Sequence, residues 1–282
     1  MAITTSTLTQ ELYANIVQAA LYTLSEQTVI RPLVQNYDMS GTPGLIAQIP
    51  KLPIIASGNL TEGSDLTTET SFDTTSVEIT CAEKGVLVNL TDLSKETATI
   101  DVAAAIGRQM GDGMAKKVDE DLAALFSGFS NTVGGANTEI TVSDLFKAAA
   151  KLRANQAPGP YYCILHPYQA YQIKQQLTGA GNTNMVNPSD LGNEALRSGF
   201  VGNIAGLNVF ESTVVTGGDS AGTYYGAAFS QQALGYVNKR PLRIEQQRDA
   251  SKRSTELVCT HAYGVKEIFD QYGVAIIGDA QL

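Results

Sequence analysis

Two rhythms of apolar residues divide this chain. Leu8, Leu12, Ile16, Ala19, Ala20, Tyr22 and Leu24 recur at near-helical spacing and predict a helix over Leu8–Glu26. Thr9 with Leu12 and Tyr13 marks its start. Arg31-Pro32 marks its stop, because a residue before proline is pushed out of the helical region. Over Ser76–Leu90 the period falls to two: Val77, Ile79 and Cys81 alternate with Glu78 and Thr80, then Val86, Val88 and Leu90 with Leu87 and Asn89. This predicts a hairpin or a bent ribbon, turning at Ala82–Gly85, with one face built for burial. The helical rhythm returns over Thr97–Phe126, where Ala103, Ile106, Met110, Met114, Val118, Leu122 and Leu125 form one stripe. Such a helix would be a rod of roughly 45 Å. Gly107, Gly111 and Gly113 weaken it locally and set a place for a bend. Asp119-Glu120-Asp121 are adjacent on this helix, so they point apart rather than converge on a metal, and read as a solvated face or an intersubunit pair.

Ser127–Asn137 is rich in turn formers and marks a boundary. Beyond it the pattern is α/β: helix Val142–Ala154, strand Tyr162–Leu165, helix Tyr168–Leu177, a loose loop Thr178–Asn187, a short helix Asp190–Arg197, then strands Leu207–Ser212 and Tyr224–Phe229. The tail returns to β structure at Leu242–Arg248, Thr255–Ala262, Val265–Phe269 and Val274–Ile277, with Val258, Thr260 and Ala262 on one face. No internal repeat is present.

Between the first helix and the first strand pattern lies Met39–Thr75, too long for an ordinary connection and too poor in large apolar residues to hold a core. Its composition of Gly, Ser, Thr and Pro alone would give a disordered loop. Leu45, Ile46, Ile49, Leu52, Ile54 and Ile55 argue instead for an arm that packs on another copy, since burying each would be worth roughly 1.5–3 kcal/mol.

Composition narrows the chemistry. The net charge of −9 over 282 residues argues against a nucleic-acid-binding surface. No apolar run is long enough to span a bilayer, and the N-terminus lacks the pattern of a secretory signal, so the chain is expected to stay in the cytoplasm where it is made. Cys81, Cys163 and Cys259 have no metal-ligand spacing and read as buried thiols. Gly218-Asp219-Ser220-Ala221-Gly222 fits G-x-S-x-G, but a strand pattern follows where a nucleophile elbow needs a helix, so the segment reads as a hairpin tip. A hydrolase using Ser220 with His166 or His261 is the enzymatic alternative; the expectation is no enzyme, no catalytic residue, no metal and no cofactor. One charge pattern stands out. Lys239, Arg240, Arg243, Arg248, Lys252 and Arg253 crowd one stretch, and Glu62, Asp65, Glu69 and Asp73 crowd the arm, as for docking of one copy onto the next.

The order of these elements resembles the major capsid proteins of tailed double-stranded DNA bacteriophages, the Hong Kong 97-like fold. Tyr162–Tyr168 (Y-C-I-L-H-P-Y) resembles that family's strand ending in proline before a helix, and Ser198–Ser212 (S-G-F-V-G-N-I-A-G-L-N-V-F-E-S) its glycine-spaced approach to a strand. Ala262–Asp279 (A-Y-G-V-K-E-I-F-D-Q-Y-G-V-A-I-I-G-D) is similar to its returning tail. The resemblance implies an α+β fold. Its parts would be an N-terminal arm and helix (1–37), an extended β loop (38–89), a peripheral domain with the long spine helix (90–137), an α/β axial domain (138–236) and a peripheral return (237–282). It also implies a homo-oligomer of hexamers and pentamers in an icosahedral shell around DNA, without sequence-specific binding or a membrane. The shell would assemble in the host bacterial cytoplasm and form the virion capsid. Implied partners are a portal and a decoration or cement protein. The pattern begins almost at Met1, which implies no long prosequence and a separate scaffolding protein. Lys51 is the lysine of the arm's first stretch, and no crosslink is assigned to it. An encapsulin-type compartment would share the fold.

Overall fold

A computed structural model describes residues 28–51, 63, 74–97, 102–177, 202–215, 217 and 222–280. The helix expected at Leu8–Glu26, most of the arm, the loop Thr178–Asn187 and the short helix Asp190–Arg197 lie outside the described residues.

One sheet is built on a long antiparallel hairpin, β10 (Leu234–Asp249) and β11 (Ser254–Glu267), in register from Leu234 opposite Glu267 to Asp249 opposite Ser254. The short β1 (Gln35–Asp38) adds in parallel to β10, and β4 (Ala82–Thr91) adds antiparallel to β11, giving the order β1-β10-β11-β4. A two-stranded ribbon pairs β2 (Ile46–Lys51) with β3 (Thr75–Thr80), Ile49 opposite Val77. The expected turn at Ala82–Gly85 is not there. The chain instead passes from β3 to β4 at the single residue Cys81, so the period-two run is a bent ribbon whose halves serve different sheets. Two consecutive strands can share one alternation because side chains keep alternating through an extended joint.

Gly264 shows why β11 runs on where two strands, Thr255–Ala262 and Val265–Phe269, were expected. A Cβ there would lie 2.6 Å from the Thr80 carbonyl oxygen, so only glycine lets β3 cross this closely. Leu257, Cys259 and His261 of β11 are buried, while Val258 and Thr260 of the alternation seen in the sequence are half-buried and its third member, Ala262, is buried.

The second sheet has six strands: β5 (Thr132–Glu139), β12 (Gly273–Asp279), β9 (Thr223–Ser230), β6 (Tyr161–Leu165), β8 (Leu207–Glu211) and β7 (Asn203–Ile204), in that spatial order. It draws β5 from the stretch expected to be a turn-rich boundary, and β12 from the stretch expected to return to a peripheral domain. β5 reads T-V-G-G-A-N-T-E, poor in strand formers, and is held as an edge strand by parallel pairing with β12. Gly134 in it adopts φ +82°, and a Cβ there would lie 2.1 Å from the Ile277 carbonyl oxygen. Helices Val142–Ala154 and Pro167–Leu177 form as the sequence predicts; the first carries a capping box between Thr141 and Asp144.

The expected Thr97–Phe126 rod is divided. A short helix α1 (Asp92–Thr97) precedes α2 (Val102–Ala123), and a 3-10 turn at Phe126–Gly128 follows. At 22 residues α2 spans roughly 33 Å and passes through Gly107, Gly111 and Gly113 as one helix. Its stripe is buried in two places. Met110 and Met114 pack with Leu242, Ile244, Leu257 and Cys259 of the β10–β11 sheet. Val118, Leu122 and, beyond the helix, Phe126 join the main core around the six-stranded sheet. A third cluster, Ile49, Ile79, Cys81, Val237 and Ile268, roots the β2–β3 ribbon on the body.

Asp119 corrects the expectation of a solvated or intersubunit acid triplet. It is buried, and its carboxylate accepts the Val29 N–H at 2.7 Å, the Ile30 N–H at 3.3 Å and the Arg31 N–H at 3.4 Å, fastening the segment before the 3-10 turn Arg31–Leu33 to α2. Burial raises its pKa against the opposing pull of these three amides. Asp121 points elsewhere: Lys117 at 2.8 Å, Lys84 at 3.1 Å and the Tyr263 hydroxyl at 2.8 Å surround it. Only Glu120, paired with Lys116 across one turn, matches the solvated reading. Asp119→Ala would strand three backbone donors, that of Ile30 buried and those of Val29 and Arg31 partly so, and is expected to cost about 3 kcal/mol, whereas Asp119→Asn, which keeps an acceptor, costs less. Denaturant midpoints of the two variants check this ordering.

Candidate assembly surface

The surface singled out by sequence centres on the β10–β11 hairpin, where every residue of the basic stretch falls. Arg248 meets Asp92 of α1 through two hydrogen bonds, 2.7 and 2.6 Å. Arg243 pairs with Glu245 at 2.6 Å, and Lys252 with Asp249 at 3.4 Å and Glu256 at 3.2 Å. Arg240 pairs with Glu83 of β4, and Lys239 donates to the Thr42 carbonyl at the root of the arm. Arg253 makes no ion pair among the described residues and sits at the hairpin tip with φ +50°. The tip is organised by Asp249, which accepts from the Ser251 hydroxyl at 2.6 Å and from the Ser251 and Lys252 amides; these bonds, the hydroxyl first, hold its pKa down to about 2.

Sequence read these cations as waiting for an acidic partner on another copy. Within one chain most already have acids of their own, a pairing between distant segments that linear spacing does not display. The pairs are largely exposed, so solvent screens each of them and they can be exchanged cheaply. Glu62, Asp65, Glu69 and Asp73 lie outside the described residues.

The arm's root divides its apolar residues. Ile49 is buried against the body, while Leu45 and Ile46 are 60% and 50% exposed. Leu52, Ile54 and Ile55 lie outside the described residues. Lys51 places its ammonium 5.0 Å from the centre of the Phe269 ring. Away from the root, Leu87 on β4 and Leu93 on α1, toward the hairpin tip, are also exposed, at 57% and 70%. β4 is the edge of its sheet, and nothing in the sequence alternation marks it as an edge. These exposed residues are the part of the surface that sequence reasoning missed.

The enzymatic alternative finds no support. Ser220 lies outside the described residues, but β9 begins at Thr223 directly after Gly222, so a strand stands where the elbow needs a helix. The His166 ring stacks on Tyr224 at 3.9 Å, its Nδ1 accepts the Tyr168 N–H at 3.3 Å, and burial lowers its pKa. His261 is buried with Nε2 3.2 Å from the Tyr236 hydroxyl. Neither has a carboxylate partner among the described residues. Cys81, Cys163 and Cys259 are buried free thiols, as expected; burial raises the pKa of each, that of Cys259 to about 11. Among the described residues no group of acids, histidines and cysteines could hold a metal, and no helix is long and apolar enough to cross a membrane.

The model of the phage capsid protein family matches residues 74–277. The chain belongs to that family. Its fold is correspondingly that of the phage major capsid proteins, the Hong Kong 97-like fold, and its role is structural. A chain from Mycobacterium phage Che8 superposes with a TM-score of 0.72 at 20% identity, over 88% of this chain and 90% of that one. A chain from the capsid of cyanophage P-SCSP1u gives 0.71 at 21% identity, over 90% and 89%. The SrpI encapsulin complex of Synechococcus elongatus PCC 7942 gives 0.65 at 12% identity, over 89% and 87%. No curated protein matches the sequence.

Buried His261 gives this capsid protein a pH dependence. Burial first, and the nearby Arg31 charge second, push its pKa from 6.5 down to about 4. The unfolded chain therefore binds a proton that the folded chain refuses, so stability present above pH 6.5 is withdrawn as pH falls toward 4, by roughly 3 kcal/mol from this group. His261→Gln is expected to lose less stability across that window, read from denaturant midpoints at pH 7 and pH 4.5.

Proposed function

We propose that this capsid protein is the shell-forming subunit of a tailed bacteriophage, assembling as hexamers and pentamers into an icosahedral capsid that encloses double-stranded DNA. The observation that carries the reading is the anchored ribbon β2–β3, whose base packs in its own chain while Leu45 and Ile46 are left in water. Exposed apolar side chains on a rooted ribbon suit burial against a neighbouring copy. In this reading 1–37 is the N-terminal arm and helix, and 38–89 the extended loop. Segments 90–137 and 237–282 form a peripheral domain around the spine helix α2, and 138–236 forms the axial domain, joined in one sheet by β5 and β12. The acidic arm residues Glu62, Asp65, Glu69 and Asp73 meet Lys239, Arg240, Arg243, Arg248, Lys252 and Arg253, or the spine helix, of the adjacent subunit, exchanging exposed intrachain pairs for intersubunit ones. A net negative inner wall lets packaged DNA slide without adhering.

Assembly takes place in the host bacterial cytoplasm with a separate scaffolding protein and a portal, and a decoration or cement protein completes the virion surface. The likeness to the encapsulin complex favours one second reading, a compartment that holds protein cargo. Nuclease-protected DNA in purified particles supports the first reading; co-purifying cargo protein without DNA supports the second.

Deleting Gly44–Thr70 is expected to abolish shells and leave soluble monomers or lone capsomers, seen by light scattering and negative-stain imaging. Normal shells from this deletion would remove the arm from the assembly mechanism.

A further inference from the structure

His261 on β11 sits where only an uncharged ring is at ease. It is 2% exposed, its Nε2 lies 3.2 Å from the Tyr236 hydroxyl, and its Nδ1 is buried with no hydrogen-bond partner. A protonated imidazole carries two N–H donors, and this pocket holds an acceptor for one. The acids of α2 beside it are already engaged. Asp119 holds the amides of Val29, Ile30 and Arg31, Glu120 faces Lys116, and Asp121 holds Lys84, Lys117 and the Tyr263 hydroxyl. On β10, Arg240 stands opposite the next residue, Ala262, and is taken up by Glu83. Tyr236, Tyr263 and the Cys81 thiol are kept neutral by burial.

What remains near the ring is positive. The Arg31 guanidinium lies 4.8 Å from the centre of the Tyr236 ring, the same side chain whose hydroxyl meets His261, and Lys84 stands opposite His261 in the β4 register. Lys84 is balanced by Asp121, whereas Arg31 has Asp119 near its backbone and no ion pair among the described residues. Arg31 also belongs to a thinly attached segment. Residues 28–38 are tied to the body by Asp119, by Ile30, Leu33 and Val34 packing in the cluster that contains Tyr236 and Tyr263, and by the four-residue edge strand β1, which pairs with β10 alone. The rings that flank His261 are therefore the floor on which this segment rests.

We propose that His261 and Arg31 form an acid-weakened latch, in which a proton on His261 drives Arg31 and the segment 28–38 off the four-stranded sheet while the rest of the fold stays closed. Opening removes the neighbouring cation and part of the cover, so the open form takes up the proton that the closed form refuses. The loss of stability in acid is thereby localised to one edge of one sheet, and it uncovers the β10 edge at Gly235–Asn238. The latch stands whether or not the chain builds a shell.

Hydrogen exchange of the full-length chain, read by mass spectrometry on peptides and corrected for the intrinsic effect of pH, tests this. Opening of residues 28–38 is expected to rise about tenfold between pH 7 and pH 5, with the helix Val142–Ala154 unchanged. His261→Gln, which takes up no proton, is expected to abolish the rise. Arg31→Gln is expected to reduce it and to raise the titration midpoint of the His261 imidazole in NMR spectra; Arg31 is half-buried at the surface, so this variant keeps the proposal testable if His261→Gln does not fold. An equal rise in residues 28–38 and in the helix, a rise that survives in His261→Gln, or an unchanged His261 midpoint in Arg31→Gln overturns it.

Discussion

The structure depends on one constraint: the apolar stripe of α2 has to be buried along its length, and no single cluster is long enough to do it. Met110 and Met114 are covered by the β10–β11 sheet, and Val118 and Leu122 by the core of the six-stranded lobe. The helix is thus the shared wall of two hydrophobic clusters. Truncating a residue such as Met114 or Leu122 would open a cavity worth a few kcal/mol, felt in the lobe it faces. Because a helix is stiff, it also transmits the position of one lobe to the other. The buried Asp119 adds direction to this frame. By accepting three amides it fixes where the segment before β1 leaves the helix, so the N-terminal approach and the sheet edge it pairs with are set by one side chain.

Electrostatics plays a different part on the outside. The hairpin's arginines and lysines pair mostly with acids of the same chain, and these pairs are exposed enough to be worth little individually. That cheapness is useful for an assembling subunit. Fixed, buried ion pairs would resist rearrangement, while exposed ones can be traded for equivalent pairs across an interface at little net cost. On the proposed reading, charge would choose the register of docking and apolar burial would supply the attraction.

Much of this was legible in the sequence, and the failures have identifiable causes. The helices at Val142–Ala154 and Pro167–Leu177, the strands around them and the stripe of α2 were readable because each has strong periodicity. β5 was not, because T-V-G-G-A-N-T-E carries turn composition, and only its pairing with β12 makes it a strand. The boundary at Cys81 was invisible because alternation persists through an extended joint. The burial of His261 beside Tyr236 was not readable either, since a lone histidine in a strand pattern carries no sign of which face it takes. Asp119 was missed for a related reason. Three adjacent acids look like solvent exposure, and nothing local says that one of them faces a distant run of backbone amides. Ion pairs such as Arg248 with Asp92 join residues that are far apart in sequence and so leave no local signature.

The rooted ribbon explains how a modest contact can build a large object. Ile49 and Ile79 hold the base of the arm on its own subunit, so the entropy of directing it is already spent within the fold. What remains exposed at the root, Leu45 and Ile46, already half covered, offers roughly 1–1.5 kcal/mol each on burial, too little for a stable dimer by itself. In a closed arrangement every subunit both gives and receives such a contact, and the later contacts form among partners already held in place. Individually weak contacts let a misplaced subunit leave before closure, whereas the completed set holds each member by several at once. A capsid protein needs both properties, and in the proposed assembly an arm fixed at its base with apolar residues left uncovered beside it would supply them through the same few side chains.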